Sequence, residues 1–159
     1  MGVSGCCEKS QRSSGYLSLF IDFYFYKMEK EQIKKTILIV DDDLPILKML
    51  VDKLTAEGFN TLRASDGEEG LMMARNNKPD LILLDIIMPK MDGLSMMKKL
   101  RLENEWGKSV PIILLTNLSP DDDKINKSIV EDTPAFYLLK PNWSVGDVIQ
   151  KVKERLNIL

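Results

Sequence analysis

The chain is 159 residues long, 44% hydrophobic and 29% charged, with a formal net charge of −2. That is enough for one domain with its own core, and it carries no general nucleic-acid footprint. It has no histidine, and its two cysteines are the neighbours Cys6 and Cys7; histidine bases, histidine metal ligands, Ser-His-Asp triads and a disulfide framework are all excluded.

Residues 1–35 read as an N-terminal extension and 36–159 as the folded domain. Residues 1–15 are rich in Ser and Gly without periodicity, the signature of disorder. Leu17–Tyr26 is apolar apart from Ser18 and Asp22, but a membrane span needs about 20 apolar residues. Met28 then opens a polar lead-in, so residues 1–27 are read as an upstream extension or a mis-assigned start. No membrane association is expected, and a body without thiols fits the cytoplasm.

From Thr36 onward, apolar runs alternate with helical patterns. Thr36–Val40 (TILIV) is β-branched and nearly all apolar, as a strand covered on both faces must be. A stripe of Ile46, Leu47, Leu50, Val51 and Leu54 predicts a helix that Gly58 stops. Phe59–Ala64 is more polar and suits an edge strand. Asp66 with Glu69 predicts a capping pair for a second helix. Leu81–Leu84 is a third strand, and Gly93 to Asn104 a third helix with Leu94, Met97 and Leu100 on one face. Val110–Leu115 is a fourth strand. Ser119-Pro120-Asp121-Asp122 opens a fourth helix, and Ala135–Leu139 is a fifth strand. Ser144 with Asp147 caps a fifth helix carrying Val145, Val148, Ile149, Val152 and Leu156. The alternation implies an α/β fold: a parallel sheet with right-handed crossovers and helices on both faces.

In such a sheet ligands bind beyond the carboxyl ends of the strands. The first strand ends in Asp41-Asp42-Asp43, the third in Asp85, the fourth in Thr116-Asn117 and the fifth in Lys140-Pro141. Carboxylates gathered on one rim repel unless a cation sits among them, and hard oxygen donors suit Mg²⁺. With that charge neutralised, Asp85 can act as a nucleophile toward phosphorus. The Lys140 ammonium and the Thr116 hydroxyl are suited to phosphoryl oxygens. The bland alternative for Asp41–Asp43 is a solvated helix cap, a role that suits Asp43.

These segments (ILIVDDD, LILLDIIMPKMDGL, LLTN and YLLKP, in that order) resemble the response-regulator receiver domain of two-component signalling, over essentially the whole chain from Thr36. The resemblance implies a flavodoxin-like, doubly wound five-stranded sheet of strand order 2-1-3-4-5. It implies that Asp85 is the phosphoacceptor and that Mg²⁺ is held by Asp42, its acidic partner Asp41, Asp85 and the backbone carbonyl of Ile87. It further implies that Lys140 and Thr116 contact the phosphoryl group, with Thr116 and Tyr137 forming the switch. A sensor histidine kinase or histidine phosphotransfer protein is the implied donor, since this chain has no histidine of its own. An unidentified protein is the implied target, because no output domain follows the fifth helix in this sequence; direct nucleic-acid contact is not expected. The chain is then no enzyme in the turnover sense, catalysing only its own phosphorylation and dephosphorylation.

Two departures stand out. Asn117 occupies a place where the family usually has a small residue, and Glu131-Asp132-Thr133-Pro134-Ala135 replaces a glycine-containing turn. Two further readings remain: a receiver-like interaction module that is never phosphorylated, and a phosphatase of the haloacid-dehalogenase type. The second wants Asp-x-Asp-x-Thr, whereas Asp41-x-Asp43 is followed here by Leu44-Pro45.

Overall fold

A computed structural model describes residues 34–117, 136–139 and 144–158. Their strands are β1 (Thr36–Val40), β2 (Asn60–Ala64), β3 (Leu81–Asp85), β4 (Ile112–Thr116) and β5 (Tyr137–Leu139). Their helices are α1 (Leu44–Ala56), α2 (Gly67–Asn77), α3 (Gly93–Glu103), α4 (Glu105–Ser109) and α5 (Val145–Arg155). The strands form one five-stranded sheet in the order β2-β1-β3-β4-β5, every pair parallel. This is the predicted order, with the more polar β2 on an edge.

Side-chain alternation along the strands divides the core in two. Leu38, Val40, Ile82, Leu84, Ile112 and Leu114 face one side, where Leu71 and Ala74 of α2 and Met96, Met97 and Leu100 of α3 cover them. Ile37, Ile39, Leu81, Leu83, Ile113 and Leu115 face the other, under Leu47, Leu50 and Leu54 of α1 and Val148 and Val152 of α5. Each large aliphatic side chain buried this way contributes about 2 kcal/mol relative to exposure.

The helix ends follow the local chemistry. Asp43 caps α1 by accepting from the Ile46 amide. Beyond its other end Gly58 sits at φ +96, a left-handed turn that glycine makes without strain. Ser144 and Asp147 form the predicted capping box on α5. At α2 the predicted pairing differs in detail: Asp66 accepts from the amides of Glu68 and Glu69, but the Glu69 carboxylate reaches back to Ser65.

Three boundaries also differ. Phe59 is a buried core residue in the turn before β2, because the edge strand begins only where Asn60 pairs with Thr36. Val110 is not in β4. It ends α4, a short helix the periodicity does not predict, in which the Asn104 side chain accepts from the Gly107 amide. β5 is shorter than predicted. Residues 1–33 of the N-terminal extension, the helix predicted from Ser119, the turn 131–135 and Lys140 lie outside the described residues.

Candidate acidic site at the carboxyl rim

Parallel strands put all their carboxyl ends on one rim. β1 runs directly into Asp41 and Asp42, while β3, its neighbour, ends in Asp85. One carboxylate oxygen from each of Asp41, Asp42 and Asp85 lies within 4.8 Å of the other two. Asp41 is 0% exposed and Asp85 5% exposed, whereas Asp42 is open to solvent.

Backbone contacts hold these side chains. The Asp41 amide donates to the Ala64 carbonyl at 3.2 Å, carrying the β1–β2 ladder one residue past the strand. The Asp41 carboxylate accepts from the Asp43 amide at 3.0 Å. Asp85 accepts through Oδ1 from the amides of Ile86 at 2.7 Å and Ile87 at 3.4 Å. Two buried carboxylates this close repel by on the order of 3 kcal/mol at a protein-like dielectric. The donor set is all hard oxygen, with two members withdrawn from water, and therefore fits a small divalent cation such as Mg²⁺.

The loop between β3 and α3 is packed so tightly that two glycines become obligatory. A methyl group on Gly93 would overlap the Asp85 carbonyl oxygen, and one on Gly67 would overlap that of Met91. The Gly93 amide donates to the Ile86 carbonyl at 3.0 Å and the Gly67 amide to the Met91 carbonyl at 3.2 Å. Each glycine follows an aspartate that caps a helix, Asp66 on α2 and Asp92 on α3. Lys90 of the same loop pairs with Asp66 at 2.5 Å. The hydrogen bond from the Glu69 amide, followed by Lys90, holds the Asp66 carboxyl below the usual carboxylate range. Sequence reasoning missed the Lys90–Asp66 pair. The signal available was the repeated Asp-Gly, at 66–67 and 92–93, which in isolation reads only as a turn.

Of the residues singled out from sequence, Asp41, Asp42 and Asp85 converge. Ile87 lies two residues beyond Asp85 and is 54% exposed. Thr116 ends β4, next to the strand that carries Asp85, and its backbone pairs with Leu139 of β5. Tyr137 begins β5 opposite Leu114. Lys140 follows β5 but lies outside the described residues.

The profile described as "Response regulator receiver domain" matches residues 37–153. The chain belongs to the response-regulator receiver family. A similar relative is the alkaline phosphatase synthesis transcriptional regulatory protein PhoP of Bacillus subtilis, 41% identical over 121 residues, which are 76% of this chain and 48% of that protein. This receiver spans about half the length, or less, of the curated relatives it matches. Among solved structures, the receiver domain of the Francisella response regulator 1452 is 31% identical with a TM-score of 0.69, covering 78% of this chain and 98% of that one. A CheX–CheY–BeF₃–Mg²⁺ complex from Borrelia burgdorferi is 30% identical with a TM-score of 0.66, covering 77% and 89%. The flavodoxin-like fold, the receiver assignment and the place in two-component signalling expected from the sequence are therefore established. Among the described residues no helix is long and apolar enough to cross a membrane.

Proposed function

We propose that this receiver is a phosphorylation switch in the cytoplasm. It takes a phosphoryl group onto Asp85 from the phosphohistidine of a sensor histidine kinase or histidine phosphotransfer protein. The observation that carries the reading is the convergence of Asp41, Asp42 and Asp85 at the ends of the neighbouring interior strands β1 and β3.

In the proposed reaction a carboxylate oxygen of Asp85 attacks phosphorus while the bond from phosphorus to the donor imidazole nitrogen breaks. The donor leaves as neutral imidazole once that nitrogen takes a proton, and an acyl phosphate remains on Asp85. Asp41, Asp42, Asp85 and the Ile87 carbonyl would hold Mg²⁺, which supplies the positive charge this transfer needs. The amides of Ile86 and Ile87 keep the Asp85 carboxylate aimed while it waits. Thr116 and Lys140 are assigned to the phosphoryl oxygens. Thr116 and Tyr137 then shift the balance between two pre-existing surfaces, and a partner protein reads the result. The solved neighbour crystallised with Mg²⁺ and BeF₃ supports the metal assignment by similarity. On this reading the chain turns over nothing but its own acyl phosphate.

Intact mass spectrometry after incubation with acetyl phosphate, with and without Mg²⁺ and alongside Asp85→Asn, tests the proposal. A gain of one phosphoryl group that needs both Mg²⁺ and Asp85 supports it. No gain under any condition overturns it and leaves a receiver-shaped binding module. Steady turnover of a phosphate ester would instead revive the phosphatase reading.

A further inference from the structure

The loop 86–92 carries the two amides that aim Asp85, and Ile86, Met88 and Met91 seat it against the core. At one end the Gly93 amide closes the loop on the Ile86 carbonyl. Near its far end the Gly67 amide donates to the Met91 carbonyl. A further fastening is Lys90, a lysine held at φ +61, in the left-handed region that favours glycine. Its side chain is 62% exposed, yet its ammonium reaches a carboxylate whose side chain is only 5% exposed. Asp66 divides its two oxygens: Oδ1 accepts from the amides of Glu68 and Glu69 and caps α2, while Oδ2 accepts from Lys90. One buried carboxylate thus joins the start of α2 to the loop that follows the acceptor.

We propose that the Lys90–Asp66 pair is a latch that positions the acceptor loop for cation binding and phosphoryl transfer. The phosphoryl arm of this inference rests on the function proposed above; its cation arm rests only on the carboxylate cluster. Lys90 and Asp66 are positioning residues that act only through the loop. The pair does its work by narrowing the range of loop positions, so that the Ile86 and Ile87 amides and the Ile87 carbonyl are held in place beforehand.

The two residues can be separated from their structural duties. Asp66→Asn keeps an oxygen to cap α2, since asparagine caps as well as aspartate, but removes the charge. Lys90→Met keeps most of the length of the side chain and removes the charge, and Lys90→Arg restores a cation. The full chain carrying each change, and the Asp66→Asn/Lys90→Met double variant, would be titrated with Mg²⁺ by calorimetry. Each would then be followed by mass for phosphoryl uptake from acetyl phosphate, and melted. The latch predicts that Lys90→Met and Asp66→Asn each weaken Mg²⁺ binding and slow uptake by roughly threefold to tenfold, with little change in melting temperature. It also predicts that the double variant is no worse than either single change and that Lys90→Arg recovers. Wild-type Mg²⁺ affinity and uptake in Lys90→Met would overturn the latch, as would additive losses or an arginine variant as impaired as the methionine one. Wild-type protein that binds Mg²⁺ but takes up no phosphoryl group would sink the acceptor reading instead, and the Mg²⁺ affinities of the variants would still judge the latch.

Discussion

Gly93 is small because the Asp85 carbonyl oxygen lies where a side chain would begin. Gly93→Ala should therefore push α3 away from the end of β3 and cost roughly 3 kcal/mol, measured by urea unfolding at the transition midpoint. Asn117, exposed just past β4, bears on a different quantity. If its bulk shields the acyl phosphate from water, Asn117→Ala should shorten the life of the phosphorylated form several-fold without changing uptake. Mass followed over time after removal of the donor reads that life directly. Asp41, Asp42 and Asp85 were legible in the sequence because an apolar strand that runs straight into a carboxylate delivers it to the carboxyl rim of a parallel sheet. Lys90 was not legible, since nothing in a loop lysine announces that a capping aspartate 24 positions earlier lies within reach.

At the scale of elements, α1, α2, α3 and α5 lie where the sequence placed them. α5 is the clearest case, and Ser144→Ala should cost it about 1 kcal/mol, visible as a lower midpoint in thermal unfolding by circular dichroism. α4 escaped because a five-residue helix has too few apolar positions to show a period. It exists through tertiary contacts: Trp106 packs against the core, and the buried guanidinium of Arg101 donates to the carbonyls of Gly107 and Val110. The strand ends drifted by one or two residues for a similar reason. Phe59 and Val110 are buried and apolar like the residues inside the central strands, and only pairing separates a strand's first residue from a core residue of the turn before it.

For the molecule as a whole, two responses to solution conditions follow. On the proposed reading magnesium binds only where the three carboxylates are assembled, so it should raise the thermal midpoint, by an amount equivalent to about 2.7 kcal/mol at a hundred times its dissociation constant. Asp42→Asn should remove most of that gain, and differential scanning calorimetry with and without EDTA would show it. Acid should act in the opposite sense. The Glu69 amide and Lys90 hold Asp66 below the usual carboxylate range, Arg75 does the same for Glu103, and the Ser144 amide for Asp147. Burial raises Asp80, but its hydrogen bonds from Lys35 and the Thr36 amide outweigh that and leave it lowered. A depressed native pKa stabilises the folded state above the unfolded value, near 4 for these groups, and the benefit is lost as pH falls through the native value. The midpoint should stay nearly flat from pH 7 to 5 and drop steeply below about pH 4.

The sheet is covered on both faces, and β3 at its centre is buried from Leu81 to Asp85. Its amide protons therefore have no local route to solvent and should exchange with deuterium only when the entire fold opens. Asp85 stands at the tip of that strand. The rim that gathers Asp41, Asp42 and Asp85 should thus rest on backbone that exchanges among the slowest of the described residues.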